Sequence, residues 1–386
     1  MTRPLDGLLV VSLEQAIAAP YCSRRLADQG ARVIKVERPD GGDFARAYDE
    51  RARGLSSHFV WCNRSKESLT LDLKQAADVA SLKRIIAHAD VFIQNLAPGA
   101  VARLGLDAPT LRATHPRLIC CSISGYGEGG PWSARKAYDL LIQAEGGFLS
   151  ITGTAETPVK AGISIVDIAA GVAAESAILA ALIRRGRTGE GDIIDISMLE
   201  ALTEWMGYPL YYAYDGASPP SRSGAEHATI YPYGPFKTAD GAVLFGLQND
   251  REWESFAAIV LERQDVASDP RFRGNAGRAH NRALLDDIIV PTLAGLSTVA
   301  AMARLDEAGI GTARVNSLAD VWAHPQLAAR ARWGMIETPN GAIPSLMPVA
   351  GSAWTGRMDG VPALGQHTAA ILAEFADGEA VGISHE

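Results

Sequence analysis

The chain has 386 residues, 47% of them hydrophobic and 21% charged, enough apolar material for a large core and too ordered a composition for a disordered chain. Its 36 Lys+Arg against 44 Asp+Glu leave a net charge of −8, which argues against a general binder of nucleic acid or acidic membranes. Four cysteines, two of them adjacent (Cys120, Cys121), are too few and too poorly spaced for a disulfide scaffold or a zinc site.

Gly7–Leu13 is a short apolar run, the mark of a strand covered on both faces. Pro20 suits the first turn of a helix that Gly30 ends, and Val33–Val36 reads as a second strand parallel to the first. The alternation continues with a helix over Ala76–His88, a strand at Val91–Ile93, a helix over Thr110–Thr114 and a strand at Leu118–Ser122. A doubly wound parallel sheet is therefore predicted over about the first 125 residues. Gly125–Gly162 reads as loops around one helix, Tyr138–Glu145. Asp167–Ile183 reads as a central helix, apolar on every face, closed by Arg184-Arg185-Gly186. Its Asp167 and Glu175 argue against a membrane span, and the N-terminus has no apolar signal core, so a soluble cytoplasmic protein is expected. A strand at Ile193–Ser197 and a helix at Met198–Met206 follow.

Tyr208–Tyr212 and Ser218–Ser221 read as an aromatic, proline-rich linker. Beyond it, Gly234–Phe245 is a predicted hairpin turning at Asp240-Gly241, with helices at Trp253–Leu261 and Arg278–Val290, the latter stopped or kinked at Pro291. Within Val361–Phe375 the tail ends in a further helix. The expected organisation is a large domain over residues 1–205, a linker over 206–224, a smaller α+β domain over 225–315, and a return to the large domain over 316–386.

Several motifs match by letter only. Gly125–Gly130 spells G-x-G-x-x-G after a strand, but no helix signal follows to hold a pyrophosphate. Ser133–Lys136 spells S-x-x-K, yet sits in a predicted loop and not at a helix start. No H-E-x-x-H, P-loop or Cys-x-x-Cys occurs, and no metal site is expected. Asp167 has two readings. It could cap the helix, or the helix N-terminus could hold it ionised, lower its pKa and aim it as a nucleophile at a thioester. Arg38, Arg103 and Lys136 are either solvated charges or phosphate ligands.

An ordered series of segments weighs on these alternatives: Pro4–Leu8, Ala18–Pro20, Gly30–Pro39, Leu69–Lys74, Asp90–Asn95, Pro98-Gly99, Arg103–Leu106, Ser124–Pro131 and Leu364–Thr368. Along nearly its whole length the chain resembles the class III CoA-transferases, the family of formyl-CoA transferase and the carnitine CoA-transferases. The resemblance implies an α/β fold: a Rossmann-like open sheet in a ring-shaped protomer with a smaller α+β domain, two rings interlocking as a homodimer. It also implies Asp167 as the covalent nucleophile, Arg38, Arg103, Lys136 and Asn95 as coenzyme A contacts, and Tyr138 at the acyl site. Coenzyme A thioester is then a substrate, and no cofactor is permanently bound.

Two departures bear on specificity. Ile17 stands where formyl-CoA transferase has glutamine, and His227–Phe236 replaces a glycine-rich loop. Both argue against oxalate and formyl-CoA, and the replacement segment resembles relatives acting on succinyl-type or branched C4–C5 dicarboxylates, which implies a succinyl-CoA-like donor and an acceptor such as mesaconate, malate, citramalate or itaconate. Arg46 or Arg64 could meet the second carboxylate, with His227 as a hydrogen-bond donor. The alternative is the 2-methylacyl-CoA racemase reaction of the same fold. Those enzymes use a Gly-His-Asp motif where this chain has Ala137-Tyr138-Asp139, and a phenol with a pKa near about 10 is a poor general base.

Overall fold

The computed structural model describes residues 2–376. The described residues divide into two compact units, one of 2–146, 161–207 and 326–376, the other of 147–160 and 208–325.

The first unit is built on a six-stranded, all-parallel sheet of β1 (Leu9–Leu13), β2 (Arg32–Glu37), β3 (Lys66–Thr70), β4 (Val91–Gln94), β5 (Ile119–Ser124) and β6 (Ile193–Ser197), in the order β3-β2-β1-β4-β5-β6. That is the order of doubly wound nucleotide-binding sheets, whose ligands lie at the carboxyl ends of the strands where the winding reverses, here between β1 and β4. Helices α1 (Ala18–Asp28), α2 (Ser57–Asn63), α3 (Ala76–Ala87), α4 (Ala100–Arg103), α5 (Ala108–Thr114) and α6 (Asp139–Glu145) connect them. After α7 (Phe148–Ile151) in the second unit, the chain returns as α8 (Ile165–Thr188), β6 and α9 (Met198–Trp205). One face of the sheet carries a core of Val11, Ile34, Leu69, Phe92 and Cys120 against Leu82, Ile85 and Ile86 of α3.

Five strands lie where the apolar runs predict them. The sixth, β3, is Lys-Glu-Ser-Leu-Thr, too polar to read as a strand. Its exposed edge is closed by the tail: Ser68 N–H donates to His367 Nδ1 (3.1 Å), His367 N–H to Ser68 O (3.0 Å) and Thr70 N–H to Thr368 Oγ1 (2.9 Å). The Leu364–Thr368 motif thus seals a sheet edge that would otherwise offer free backbone groups.

Helix α8 starts two residues earlier than expected and does not close at Gly186. It runs to Thr188 and ends on Gly189 in the left-handed conformation (φ 78°), with Arg185 and Arg187 in its last turn. It is long and apolar enough to cross a membrane by length and composition, but it packs on α1, β5, β6 and α9 and buries Glu175 beside Arg25.

The second unit holds β7 (Tyr233–Lys237), β8 (Ala242–Gly246) and β9 (Thr312–Ala313) as an antiparallel sheet, packed on a core of Phe236, Phe245, Trp253, Phe256, Leu285 and Ile289. The hairpin closes through a four-residue loop, Thr238–Gly241, and not through a two-residue Asp-Gly turn, because Lys237 pairs with Ala242. Arg282–Ala294 runs helically through Pro291, and Gly274–His280 is a separate helix. Residues 147–160, placed by the sequence reading inside the large domain, group with the second unit: Gly224 N–H donates to Gly153 O (2.7 Å) and Arg222 to Thr154 O (2.8 Å). Residues 316–325 group there too, and Gly207–Tyr212, expected as linker, is helical.

Candidate active site

The carboxyl ends of β1, β4 and β5 set the frame. The loop after β1 carries Ala16 in the left-handed region (φ 62°), an unfavourable conformation for a residue with a Cβ. Two side chains hold it there. Asn95, directly after β4, accepts from Gln15 N–H and donates to Gln15 O, both at 2.8 Å, while Asp43 accepts from Ala16 N–H at 3.0 Å. Asp43 is anchored by Lys35 (2.8 Å) in a fully buried cluster with Glu14 and Lys66, where Lys66 reaches Glu14 at 2.6 Å. Burial alone would raise the Glu14 pKa, but the charges of Lys66 and Lys35 outweigh it and bring it down to about 2. Asn95 is therefore a brace for this loop, with one N–H and one lone pair of its amide left over.

The braced loop delivers the N-terminus of α1, which no side chain caps. The first amides of a helix have no partner within it. Gly171 of α8 explains where they lie: a Cβ there would stand 2.8 Å from Ala18 O. Asp167 is one helical turn before Gly171, so the start of α1 lies beside the face of α8 that carries Asp167.

Asp167 occupies the first turn of α8 but caps nothing. The cap is Asp139, in the first turn of α6, whose Oδ1 accepts from Val166 N–H (2.8 Å) and Asp167 N–H (3.3 Å) and whose Oδ2 accepts from Gln143 (2.6 Å). This reverses the expected pKa. With the helix amides taken by Asp139, burial first and the neighbouring Asp139 charge second push the Asp167 carboxyl up from 3.8 to about 7. No described residue hydrogen-bonds its carboxylate. Sequence reasoning missed the role of Asp139, since an aspartate opening a helix has an ordinary explanation.

The other predicted residues separate into available and committed groups. Arg38, directly after β2, is exposed, with only Nε tied down, to Gly42 O at 2.8 Å. Arg103 ends α4 and Lys136 lies before α6; both are exposed, and neither has an ion-pair partner among the described residues. Gly125 permits the loop carrying Lys136 to return to β5, because a Cβ there would overlap that of Ala137. Tyr138 is 64% exposed. Ile17, by contrast, is buried and offers only its backbone.

Arg46 is bound in bidentate fashion to buried Glu37 (2.8 and 3.0 Å) and stacked 3.7 Å over Phe59. Arg64 is locked onto Asp28 (2.8 and 2.9 Å), Ser345 and Leu346 O. Neither is open to a substrate carboxylate, which corrects the expectation for both. His227 lies in the second unit, stacked on Tyr233, its Nδ1 accepting from Ile230 and Thr229 N–H, which leaves the ring proton on Nε2. One further residue joins the site. The Tyr48 phenol is raised to about 12 by burial and then by the charges of Asp43, Asp167 and Tyr138, so it lies within electrostatic reach of the nucleophile candidate.

An uncapped helix start beside an unpaired carboxylate, with free cations along the carboxyl edge of the sheet, suits acyl chemistry on a large phosphorylated carrier. Residues 5–368 match the model of CoA-transferase family III. The chain belongs to CoA-transferase family III. Family III relatives include a succinate–glutarate CoA-transferase of Agrobacterium fabrum, 34% identical over 96% of this chain and 96% of that protein. A succinyl-CoA:mesaconate CoA-transferase of Haloarcula hispanica is 34% identical, again over 96% of each chain. The crystal structure of a CAIB/BAIF family protein from Brucella suis superposes with a TM-score of 0.84 at 34% identity, covering 97% of this chain and all of that one. This enzyme family uses CoA thioesters as substrates.

Proposed function

We propose that the chain moves coenzyme A from a succinyl-CoA-like donor to a small dicarboxylate through an aspartyl-CoA thioester on Asp167. The observation that carries this reading is Asp167 itself: a carboxylate half-withdrawn from water, without a hydrogen bond, beside uncapped amides. The acids follow those relatives named for succinate or succinyl-CoA with glutarate, mesaconate or D-citramalate; another relative is named for acetyl-CoA and oxalate.

In the first step an Asp167 oxygen attacks the donor carbonyl, the C–S bond breaks, and a mixed anhydride and the CoA thiolate form. The thiolate attacks the Asp167 carbonyl, the donor acid leaves as carboxylate, and aspartyl-CoA remains. The acceptor carboxylate attacks this thioester and again releases thiolate, giving an anhydride between Asp167 and the acceptor. The thiolate then attacks the acceptor carbonyl, yielding the new acyl-CoA and restoring Asp167. No proton is consumed overall. The amides of Ala18 and Ala19 serve as donors to the successive oxyanions, and Arg38, Arg103 and Lys136 hold the nucleotide so that the thiolate stays within reach between steps. The protomer acts as a homodimer in the cytoplasm, and the exposed aromatic side chains of Trp205–Tyr214 support the homodimer.

Incubation with succinyl-CoA followed by hydroxylamine should convert Asp167, and no other carboxylate, to a hydroxamate detectable by peptide mass. Asp167→Asn should lose transfer by about a thousandfold or more while still binding CoA. A label on another residue, or substantial turnover by the asparagine variant, overturns the mechanism.

A further inference from the structure

A dicarboxylyl group presents a second carboxylate about 4–5 Å from the reacting one, and a half-buried pocket must meet that charge with a cation. Arg38, Arg103 and Lys136 are assigned to the nucleotide, and other cations nearby are spent. Arg46 and Arg64 are consumed by Glu37 and Asp28, and Arg25 of α1 is paired with Glu175. Lys35 and Lys66 are fully buried in the Glu14 cluster. Next to Tyr48, a basic side chain keeps an open face. His58, in the first turn of α2, is 45% exposed, and its Nδ1 lies 3.3 Å from Asp49 Oδ2. Its ring stands edge-on to Tyr48, 5.4 Å between centroids at 87°. Asp49 is itself fixed, accepting from Ser57 N–H (2.9 Å), Arg51 N–H (2.9 Å) and Ser57 Oγ (2.7 Å). These bonds hold its carboxylate well below the usual range, so it stays ionised. An ionised partner on Nδ1 orients the ring and leaves Nε2 for a ligand, to which the imidazolium form donates its Nε2–H.

A path through the fold ties this histidine to the loop that delivers the start of α1. Asp43 accepts from Ala16 N–H at the start of the α1 loop and caps the 3-10 turn Phe44–Ala47, and Tyr48 ends that turn against the His58 ring. We propose that His58, fixed by Asp49 beside Tyr48, binds the distal carboxylate of the dicarboxylyl group and so selects dicarboxylates over monocarboxylates. The inference rests on the transfer reaction proposed above and names the specificity-determining residue of its acyl pocket.

The experiment measures KM and kcat for a dicarboxylate acceptor, glutarate, with succinyl-CoA as donor. His58→Phe should raise the glutarate KM by about tenfold to a hundredfold with little change in kcat, the loss expected for one charge-assisted hydrogen bond. His58→Lys, which keeps a cation at that position, should restore a low KM. A glutarate KM within twofold of wild type in a folded His58→Phe variant overturns the assignment while leaving the transfer reaction standing. Absence of transfer by the wild type with every dicarboxylate overturns both.

Discussion

A carboxylate that must attack a thioester is better poised when water does not solvate it, and Asp167 shows the cost of that arrangement. Burial and Asp139 raise its pKa to about 7, so near neutrality only about half of it is ionised in the free enzyme. Only the ionised form attacks. The value of kcat/KM should therefore climb with pH to a plateau above about 8, with an acid limb near 7. Asp139→Asn removes the neighbouring charge but keeps an oxygen for the Val166 amide, so the limb should move to lower pH with the fold intact. A limb that does not move assigns the titration to another group. Stability carries the same shift with the opposite sense. A raised aspartate pKa favours the folded state most below the unfolded value of 3.8, and that contribution is lost as the pH rises through about 7. Asp167→Asn should accordingly be more stable than wild type at pH 8, by about 1–3 kcal/mol, and no more stable at pH 4. Thermal melts at the two pH values check this.

At the scale of elements, the site depends on how closely α1 approaches α8. Gly171 makes the approach possible, since a Cβ there would meet Ala18 O at 2.8 Å and the Tyr21 ring at 3.1 Å. Ala18 O is backbone and cannot swing aside. Gly171→Ala should cost about 1–3 kcal/mol and, by shifting the α1 amides away from Asp167, lower kcat well beyond what the loss of stability explains. Melting temperature and single-turnover acylation of Asp167, measured on the same preparation, separate the two effects. The elements that read clearly from the sequence are those whose burial dictates their composition. β1, β2, β4 and β5 are interior strands, and their apolar runs say so; β6, the other edge, shows itself by its isoleucines although Ile193 is exposed. β3 is an edge strand, paired with β2 on one side and covered on the other by the distant Leu364–Thr368 segment, and its polar letters carry no strand signal. The same distance hid the ion pairs. Nothing local in the sequence says that Arg46 is spent on Glu37 or Arg64 on Asp28. Asp167 stood out because an acid in the first turn of an apolar helix is visible at once, whereas Tyr48, His58 and Asp139 matter through neighbours that only folding supplies.

At the scale of the whole molecule, the surface carries apolar side chains that a single chain leaves in water. Along Trp205–Tyr214, Trp205, Tyr208, Leu210, Tyr211, Tyr212 and Tyr214 are each at least half exposed, Tyr211 at 82% and Tyr214 at 75%. Isolated exposed residues need no explanation, but five large apolar side chains exposed within Tyr208–Tyr214 do. Aromatic residues of this kind are typical of the buried centre of obligate interfaces. If they are covered by a second copy, light scattering should give a mass of two chains at micromolar concentration, without dependence on salt, since the contact is apolar and not ionic. Replacing Tyr211 and Tyr214 together by lysine should weaken that association by about a hundredfold or more, because two anchors in a desolvated interface are lost and two charges are forced into it. The same pair of substitutions should leave the unfolding of a dilute single chain unchanged to within about 0.5 kcal/mol per site, as expected for exposed positions. A single-chain mass for the wild type, or a dimer indifferent to both lysines, would show that this aromatic run is covered by something other than its own copy.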